Sequence, residues 1–350
     1  MGEKAVYMIP DVAVIIEVAL IIVKVVVMTL LLFLLPLPLT WIERKVAGHI
    51  QSRLGSYRVG PHGLLQPFAD LIKLHFKEDI VPDKADKLLF KLCPLLSLIP
   101  AFAVFVAIPF GDRITLPIIN REVTLYISDM NVGLLYVLAI ASLGIYGIIL
   151  GGWSANSKYA LLGGLRSSAQ MISYEVALSF AVVGVVMMSN SLSLVDVVGS
   201  QSGGFQNWNI AYMPVGPVWF AIFLIAGMAE INRIPFDLPE DEGTLAAGYH
   251  TEYSGLRFAF FMLAEYVAMF TISILCVVLF LGGWGAPFEL PVRIPPIIWL
   301  FGKVALFVYF FMWIRFTLPR YRYDQLMQIG WKILIPLSMV NILVTGFLRI

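Results

Sequence analysis

The chain has 350 residues, 59% hydrophobic and 13% charged, with a mean hydropathy of +0.86, whereas a soluble domain has roughly 25% charged residues. So few charges cannot clothe the surface of a water-soluble enzyme of this size, and the bilayer must be the solvent. With 24 Lys+Arg against 23 Asp+Glu, the charge balance gives no argument for nucleic acid as a partner.

Apolar runs long enough to cross the hydrocarbon core, about 17–25 residues each, fall at 12–39, 90–110, 132–152, 169–188, 216–232, 257–281, 295–317 and 331–348. They predict an all-α integral membrane protein, a single membrane domain over 1–350 with about eight transmembrane helices. The first run far exceeds the ~7–15-residue core of a cleavable signal, so it reads as a first span. The odd-numbered connections hold 17 Lys and Arg, against five in the even connections and the tails. By the positive-inside rule the odd connections face the cytoplasm and both termini face outward. Lys24 and Lys303 are left inside spans.

The first connection, 41–92, is predicted to be a cytoplasmic amphipathic segment. Leu64, Leu65, Phe68, Leu71, Ile72 and Phe76 recur at helical spacing, while Asp70, Lys73 and Lys77 occupy other faces. That pattern, opened by the Gly60-Pro61 turn, predicts a helix lying in the interface. In 111–131, Ile114–Leu116 and Val123–Tyr126 flank a turn-like Asn120 and predict a short hairpin. Cys93 and Cys276 lack ligand spacing and read as buried thiols, so no metal centre is expected on this chain. His49, His62, His75 and His250 have no paired spacing and are assigned structural roles.

An ionisable group inside a span costs about 2.5–3.5 kcal/mol on insertion scales, which makes each a functional candidate. Glu17 and Lys24 are two turns apart on the first span, where pairing and transport are both open. Glu175 lies one turn into the fourth span and Glu265 in the middle of the sixth. The fifth span runs directly into an acidic loop, 230–257, in which Glu230, Asp237, Glu240, Asp241, Glu242 and Glu252 face Arg233 as the one base before Arg257. Glu230 and Arg233 are spaced to share a helix face, and Pro235 and Pro239 turn the chain. Acids crowded in this way titrate as a coupled set and form a candidate proton-loading site.

These residues sit in stretches that strongly resemble the family of quinone-proximal membrane subunits of respiratory complex I, the H subunits of the bacterial enzyme. The matching runs include Glu43-Arg44-Lys45, Arg58-Val59-Gly60-Pro61, Leu64 to Asp70, Ser168-Ala169-Gln170, Ser173-Tyr174-Glu175, Asn232-Arg233, Pro235-Phe236-Asp237, Glu252-Tyr253-Ser254-Gly255, Ala264-Glu265-Tyr266 and Leu318-Pro319-Arg320. The resemblance covers about residues 41 to 345 and implies eight spans in a bacterial cytoplasmic membrane, with both termini periplasmic. It implies a subunit of a proton-pumping NADH-quinone oxidoreductase that is not catalytic alone. Ubiquinone or menaquinone would be substrate, and FMN and iron–sulfur clusters would reside on partner subunits. The implied partners are the other membrane-arm subunits and the quinone-site peripheral subunits that carry the terminal cluster. Trp41, Arg44, Arg53, Phe68 and Lys73 would border the quinone chamber. Glu175, Glu230, Arg233, Asp237, Glu240, Asp241, Glu242 and Glu265 would form the proton relay. The chain departs from the family at Ser56-Tyr57, where Pro-Asn is usual, and at Thr244, where a glutamate is usual. Asp241 is expected to supply that missing charge.

Two other readings stay open on the residues alone. One is a self-sufficient ion transporter using the same carboxylates, although no pair of interrupted helices occurs at matching positions in two halves. The other is a membrane subunit of a related hydrogenase or ferredoxin-linked complex. The run His250-Thr251-Glu252-Tyr253-Ser254-Gly255 favours the respiratory branch by resemblance.

Overall fold

The computed structural model describes residues 12–116, 121–237, 247–288 and 294–349. Seven stretches among them are helical, long and apolar enough to cross a membrane, and Val215–Glu230 is a shorter apolar helix. Together they are the eight spans expected from the sequence. In chain order the helices are α1 (Val12–Leu34), α2 (Pro36–Ile50), α3 (Gln66–Phe76), α4 (Lys87–Ala103), α5 (Gly133–Ser154), α6 (Lys158–Ser189), α7 (Leu194–Ser200), α8 (Val215–Glu230), α9 (Gly255–Phe280), α10 (Pro296–Thr317), α11 (Tyr323–Gln328) and α12 (Ile335–Arg349). A π-helical stretch, Ile329–Leu334, joins the last two. Strands β1 (Arg113–Leu116) and β2 (Arg121–Thr124) pair antiparallel as the expected hairpin; the turn residue Asn120 lies outside the described residues.

Two helices extend beyond the apolar runs that announce them. The first run continues past residue 39, because Pro36 occupies the opening position of α2, where a missing N–H costs nothing. Hydrogen bonds from Leu35 N to Leu31 O and from Leu39 N to Leu35 O carry the helix across the junction. Trp41, Glu43 and Arg44 therefore stand on a helix. The fourth span starts at Lys158 and is 32 residues long, about 48 Å at 1.5 Å per residue, well beyond a ~30 Å hydrocarbon core. In its first turns Lys158, Gly163, Gly164, Arg166, Ser167 and Ser168 interrupt the leucines, so an apolar scan passes over them.

Helix α9 is the axis of the molecule. From Met269 to Phe280 every residue is buried, as a helix apolar on all sides must be, and it packs against α4, α8 and α10. Close approach elsewhere depends on glycine. A Cβ on Gly184 of α6 would lie 2.2 Å from Cε2 of the Trp219 indole, which is fully buried on α8. Gly184→Ala is expected to destabilise the protein by about 1–3 kcal/mol through overpacking, seen as a lower thermal midpoint of the detergent-extracted protein with Gly199→Ala, a site with open space, as control.

Both lysines inside spans find oxygen ligands. Lys24 donates to Thr124 Oγ1 at 2.9 Å and to the Tyr126 carbonyl at 3.1 Å, which ties α1 to the hairpin; Glu17 is exposed. Lys303 donates to the carbonyls of Leu281, Gly283 and Gly285 at 2.7, 3.0 and 2.7 Å and lies 4.3 Å from the Trp208 ring centroid. It thereby anchors the chain that leaves α9. Cys93 and Cys276 are buried free thiols, as expected.

Candidate functional site

Helix α8 stops at Glu230 after 16 residues, about 24 Å. Asn232 then takes a left-handed conformation at φ 54 and the backbone unwinds inside the bundle. Freed backbone groups there need protein partners, and Gln170 of α6 supplies them. Its Nε2 donates to the carbonyls of Ala229 and Phe236, both at 2.7 Å, and to Asn232 Oδ1 at 3.3 Å. Because the helix ends first, Glu230 and Arg233 do not share a helix face, contrary to their spacing. The turn instead carries Arg233 across to two carboxylates on other helices.

Arg233 Nη1 lies 3.5 Å from Glu43 Oε1 of α2, and its Nη2 lies 3.4 Å from Glu265 Oε2 of α9. Its guanidinium also stacks over the Tyr266 ring, 4.6 Å from the centroid. Glu43 is completed by an ion pair with Arg315 of α10 and by the Tyr266 hydroxyl, which donates at 2.6 Å. Glu265 Oε1 accepts from the Tyr249 hydroxyl at 3.2 Å and lies 3.4 Å from His250 Nε2. Tyr249 and His250 belong to a short turn seated against α6 at Gly163, where a Cβ would lie 2.5 Å from Gly248 Cα. Glu43, Arg233 and His250 are 7%, 7% and 3% exposed. Two acids bridged by one guanidinium, with donors filling their remaining lone pairs, are the arrangement in which buried charges can persist.

A cavity of about 100 Å³ between α4, α5, α6, α8 and α9 adjoins the cluster, with room for water beside its polar groups. Glu230, Asn232, Tyr249 and Glu265 are among the polar residues that line it, and the rest of the wall is mainly apolar. Glu230 Oε2 is buried and has no hydrogen-bond partner among the described residues. Glu175 lies on α6 between Met171 and Leu178, both of which line the cavity, at the spacing of one helix face. Just before α9, Tyr253 stacks on Phe90 at 4.1 Å, and burial pushes its hydroxyl well above the usual tyrosine range, leaving it a neutral hydrogen-bonding group.

The residues expected to border a quinone chamber gather around α2, α3 and the chain between them. Arg44 pairs with Asp70 at 2.6 Å, joining α2 to α3. Trp41 Nε1 donates to the His62 carbonyl at 3.3 Å, and Trp41, Lys45, Pro61, His62 and Leu64 line an open cleft. Arg53, Phe68 and Lys73 are exposed. The unusual Ser56-Tyr57 step is tightly held: a Cβ on Gly63 would lie 2.2 Å from the Ser56 carbonyl oxygen, and Lys45 Nζ sits 5.7 Å from the Tyr57 ring. Of the expected relay acids, Glu230 and Glu265 line the cavity, and Glu175 lies on α6 between two residues that line it. Asp237 is buried and pairs with Arg320 at 3.1 Å. Glu240, Asp241, Glu242 and Thr244 lie outside the described residues. Sequence reasoning does not pick out Glu43, Tyr249, Tyr266 or Arg315 as site residues, and it gives His250 only a structural role. The available signals are an acid directly continuing the first apolar helix and a histidine next to a Gly-Tyr step.

Fold and cluster together define a polytopic α-helical membrane protein with a charged centre built inside its helix bundle. A family model described as NADH dehydrogenase matches residues 22–346. The chain is 59% identical over 329 residues to the second H subunit of the NADH-quinone oxidoreductase of Rhizobium etli, covering 94% of each chain. It is 57% identical over 332 residues to the second H subunit of the same enzyme in Rhizobium meliloti, covering 95% of this chain and 98% of that one. It is 51% identical over 318 residues to the first H subunit of the Geobacter sulfurreducens enzyme, covering 88% of each. The chain belongs to the NADH dehydrogenase family, in its branch of NADH-quinone oxidoreductase H subunits, and is a membrane component of an oxidoreductase complex.

Proposed function

We propose that this chain walls part of the quinone chamber of its complex and carries the protonic signal of quinone reduction into the membrane arm. Trp41, Arg44, Arg53, Phe68 and Lys73 border the chamber or its lipid-facing mouth. α3, with Leu71, Ile72 and Phe76 exposed, lies in the interface on the cytoplasmic side. The acidic loop, through Asp237, Glu240, Asp241 and Glu242, senses the change of charge on the quinone. Glu265, Glu230 and Glu175, with Arg233 and Glu43, pass that change toward the neighbouring membrane subunits. Electrons stay on the peripheral subunits that hold the FMN and the iron–sulfur clusters, and both termini face the periplasm.

The observation that carries this reading is the Arg233 bridge between Glu43 and Glu265, at 3.5 and 3.4 Å, beside a cavity lined by Glu230. Ion pairs made only for stability would not need an adjoining cavity with a third buried carboxylate. The test is to tag this chain, extract it in mild detergent, and assay the purified material for size, iron and NADH-to-quinone electron transfer. A photoreactive quinone is added to the same preparation. The expected outcome is a large iron-containing assembly that reduces quinone, with label on residues 41–73 of this chain. A small iron-free particle that moves ions without quinone would overturn the proposal in favour of a transporter.

A further inference from the structure

We infer that the cleft between α2 and the turn ahead of α3 takes the phosphate of an anionic phospholipid from the cytoplasmic leaflet, with Lys45 as its main ligand. The inference goes beyond the quinone and relay reading and does not depend on it. Trp41, Lys45, Pro61, His62 and Leu64 line an open cleft of about 530 Å³, within the size range of small-ligand sites. Lys45 Nζ stands between two aromatic rings, 5.8 Å from the Trp41 centroid and 5.7 Å from that of Tyr57. Trp41 Nε1 donates to the His62 carbonyl at 3.3 Å, and the Tyr57 ring meets the His62 ring edge-on at 5.8 Å. Both rings are thus tied to one turn, and they hold the ammonium by attraction to their faces without neutralising it. Tyr57 is a position at which the chain departs from its family, and the asparagine usual there has no ring to offer Lys45.

Charge selects the occupant. Between Glu43 and Asp70 the chain carries Arg44, Lys45, Arg53 and Arg58 and no acid. Arg44 pairs with Asp70 at 2.6 Å; among the described residues Lys45, Arg53 and Arg58 make no ion pair. The loop that bears Arg53 is pressed on α2, since a Cβ on Gly48 would lie 2.8 Å from the Arg53 carbonyl oxygen and one on Gly55 3.3 Å from Lys45 Cα. A neutral quinone ring gains nothing from this surplus of positive charge, whereas a phosphate neutralises it, with lysine acting as a point charge. The positive-inside orientation puts the cleft at the cytoplasmic leaflet, where anionic lipids attract basic segments. A free phosphate would use the charge alone. Here Leu64 of the cleft wall leads into Phe68, Leu71 and Ile72 of α3, all exposed and at the spacing of one helix face, which offers acyl chains an apolar path.

The test uses the whole complex, purified through a tag on this chain and exchanged into phosphatidylcholine nanodiscs that carry a trace of photoreactive phosphatidylglycerol or of photoreactive phosphatidylcholine. After illumination, label on residues 41–72 is mapped by mass spectrometry, with size and iron content verifying assembly. Phosphatidylglycerol is expected to label this segment in preference to phosphatidylcholine, and less so at raised ionic strength. Lys45→Gln should lower its label about fivefold, the scale of one basic residue at an anionic surface, while Lys45→Arg keeps it and Tyr57→Asn lowers it less. Equal labelling by both probes shows an apolar groove without a phosphate site, and no labelling shows a cleft covered by a partner subunit; each overturns the inference, as does full labelling of Lys45→Gln. Displacement by inorganic phosphate at matched ionic strength, which points to a free anion, or by a short-chain quinone, which gives the cleft to the quinone chamber, also overturns it. Should Lys45→Gln fail to assemble, the preference between the two probes on the wild-type complex and its loss with salt decide the matter. None of these readouts uses electron transfer or pumping, so a failure here leaves the proposed function standing.

Discussion

Arg233→Met is expected to destabilise the protein by about 3–5 kcal/mol, the usual consequence of removing one partner from a buried ion pair. Methionine fills much of the volume but leaves Glu43 and Glu265 buried near each other without the bridging charge. Glu43 keeps the Arg315 charge and the Tyr266 hydroxyl, whereas Glu265 keeps the Tyr249 hydroxyl and the His250 ring but loses its arginine, so the loss falls mainly on Glu265. The stability effect should therefore be relieved in the double variant Arg233→Met with Glu265→Gln, which no longer buries an acid deprived of its arginine. The measurement is the thermal midpoint of the purified complex alongside the amount of this chain in membranes. A double variant no more stable than Arg233→Met would show that Arg233 acts by packing on Tyr266 and not by charge.

Glu230→Gln is the complementary case, with a large effect on coupling and a small one on stability. The buried Oε2 has no hydrogen-bond partner among the described residues, so an amide of the same shape breaks no pair there. It removes an ionisable group that lines the cavity. Proton pumping per quinone reduced should fall at least about tenfold, while the thermal midpoint stays near that of the wild type. Glu17→Gln is the control, because Glu17 is exposed on α1 and away from the cavity, and it should leave pumping unchanged. Normal pumping by Glu230→Gln would remove Glu230 from the relay.

The spans, helix α3 and the hairpin were legible because each follows from a local pattern: apolar length, helical recurrence, or two short β-prone runs about a turn. The ends of α2 and α6 were not, since Pro36 looks like a stop and the first turns of α6 are too polar to register as a span. Glu265, Glu230 and Glu175 were legible as acids inside apolar runs, where their cost demands a reason. Their grouping was not. Glu43, Arg233, His250, Glu265 and Arg315 come from five separate parts of the chain, and nothing local in the sequence brings α2 and α9 to the same guanidinium. The spacing of Glu230 and Arg233 pointed to a shared helix face, but the left-handed turn at Asn232 separates them, and that turn is held by Gln170 from a different helix.

The most direct measurement is the number of protons moved per electron by the complex in liposomes, with and without Glu265→Gln. Glu265 meets Arg233, His250, Tyr249 and the cavity at once, so loss of its ionisable oxygen should uncouple the machine wherever else protons enter. The expected result is that the assembled Glu265→Gln complex keeps its iron and its quinone site, while its proton yield per electron collapses or coupled turnover stops. A variant that reduces quinone at the wild-type rate with the wild-type proton yield would contradict the proposal that this buried cluster couples the two processes.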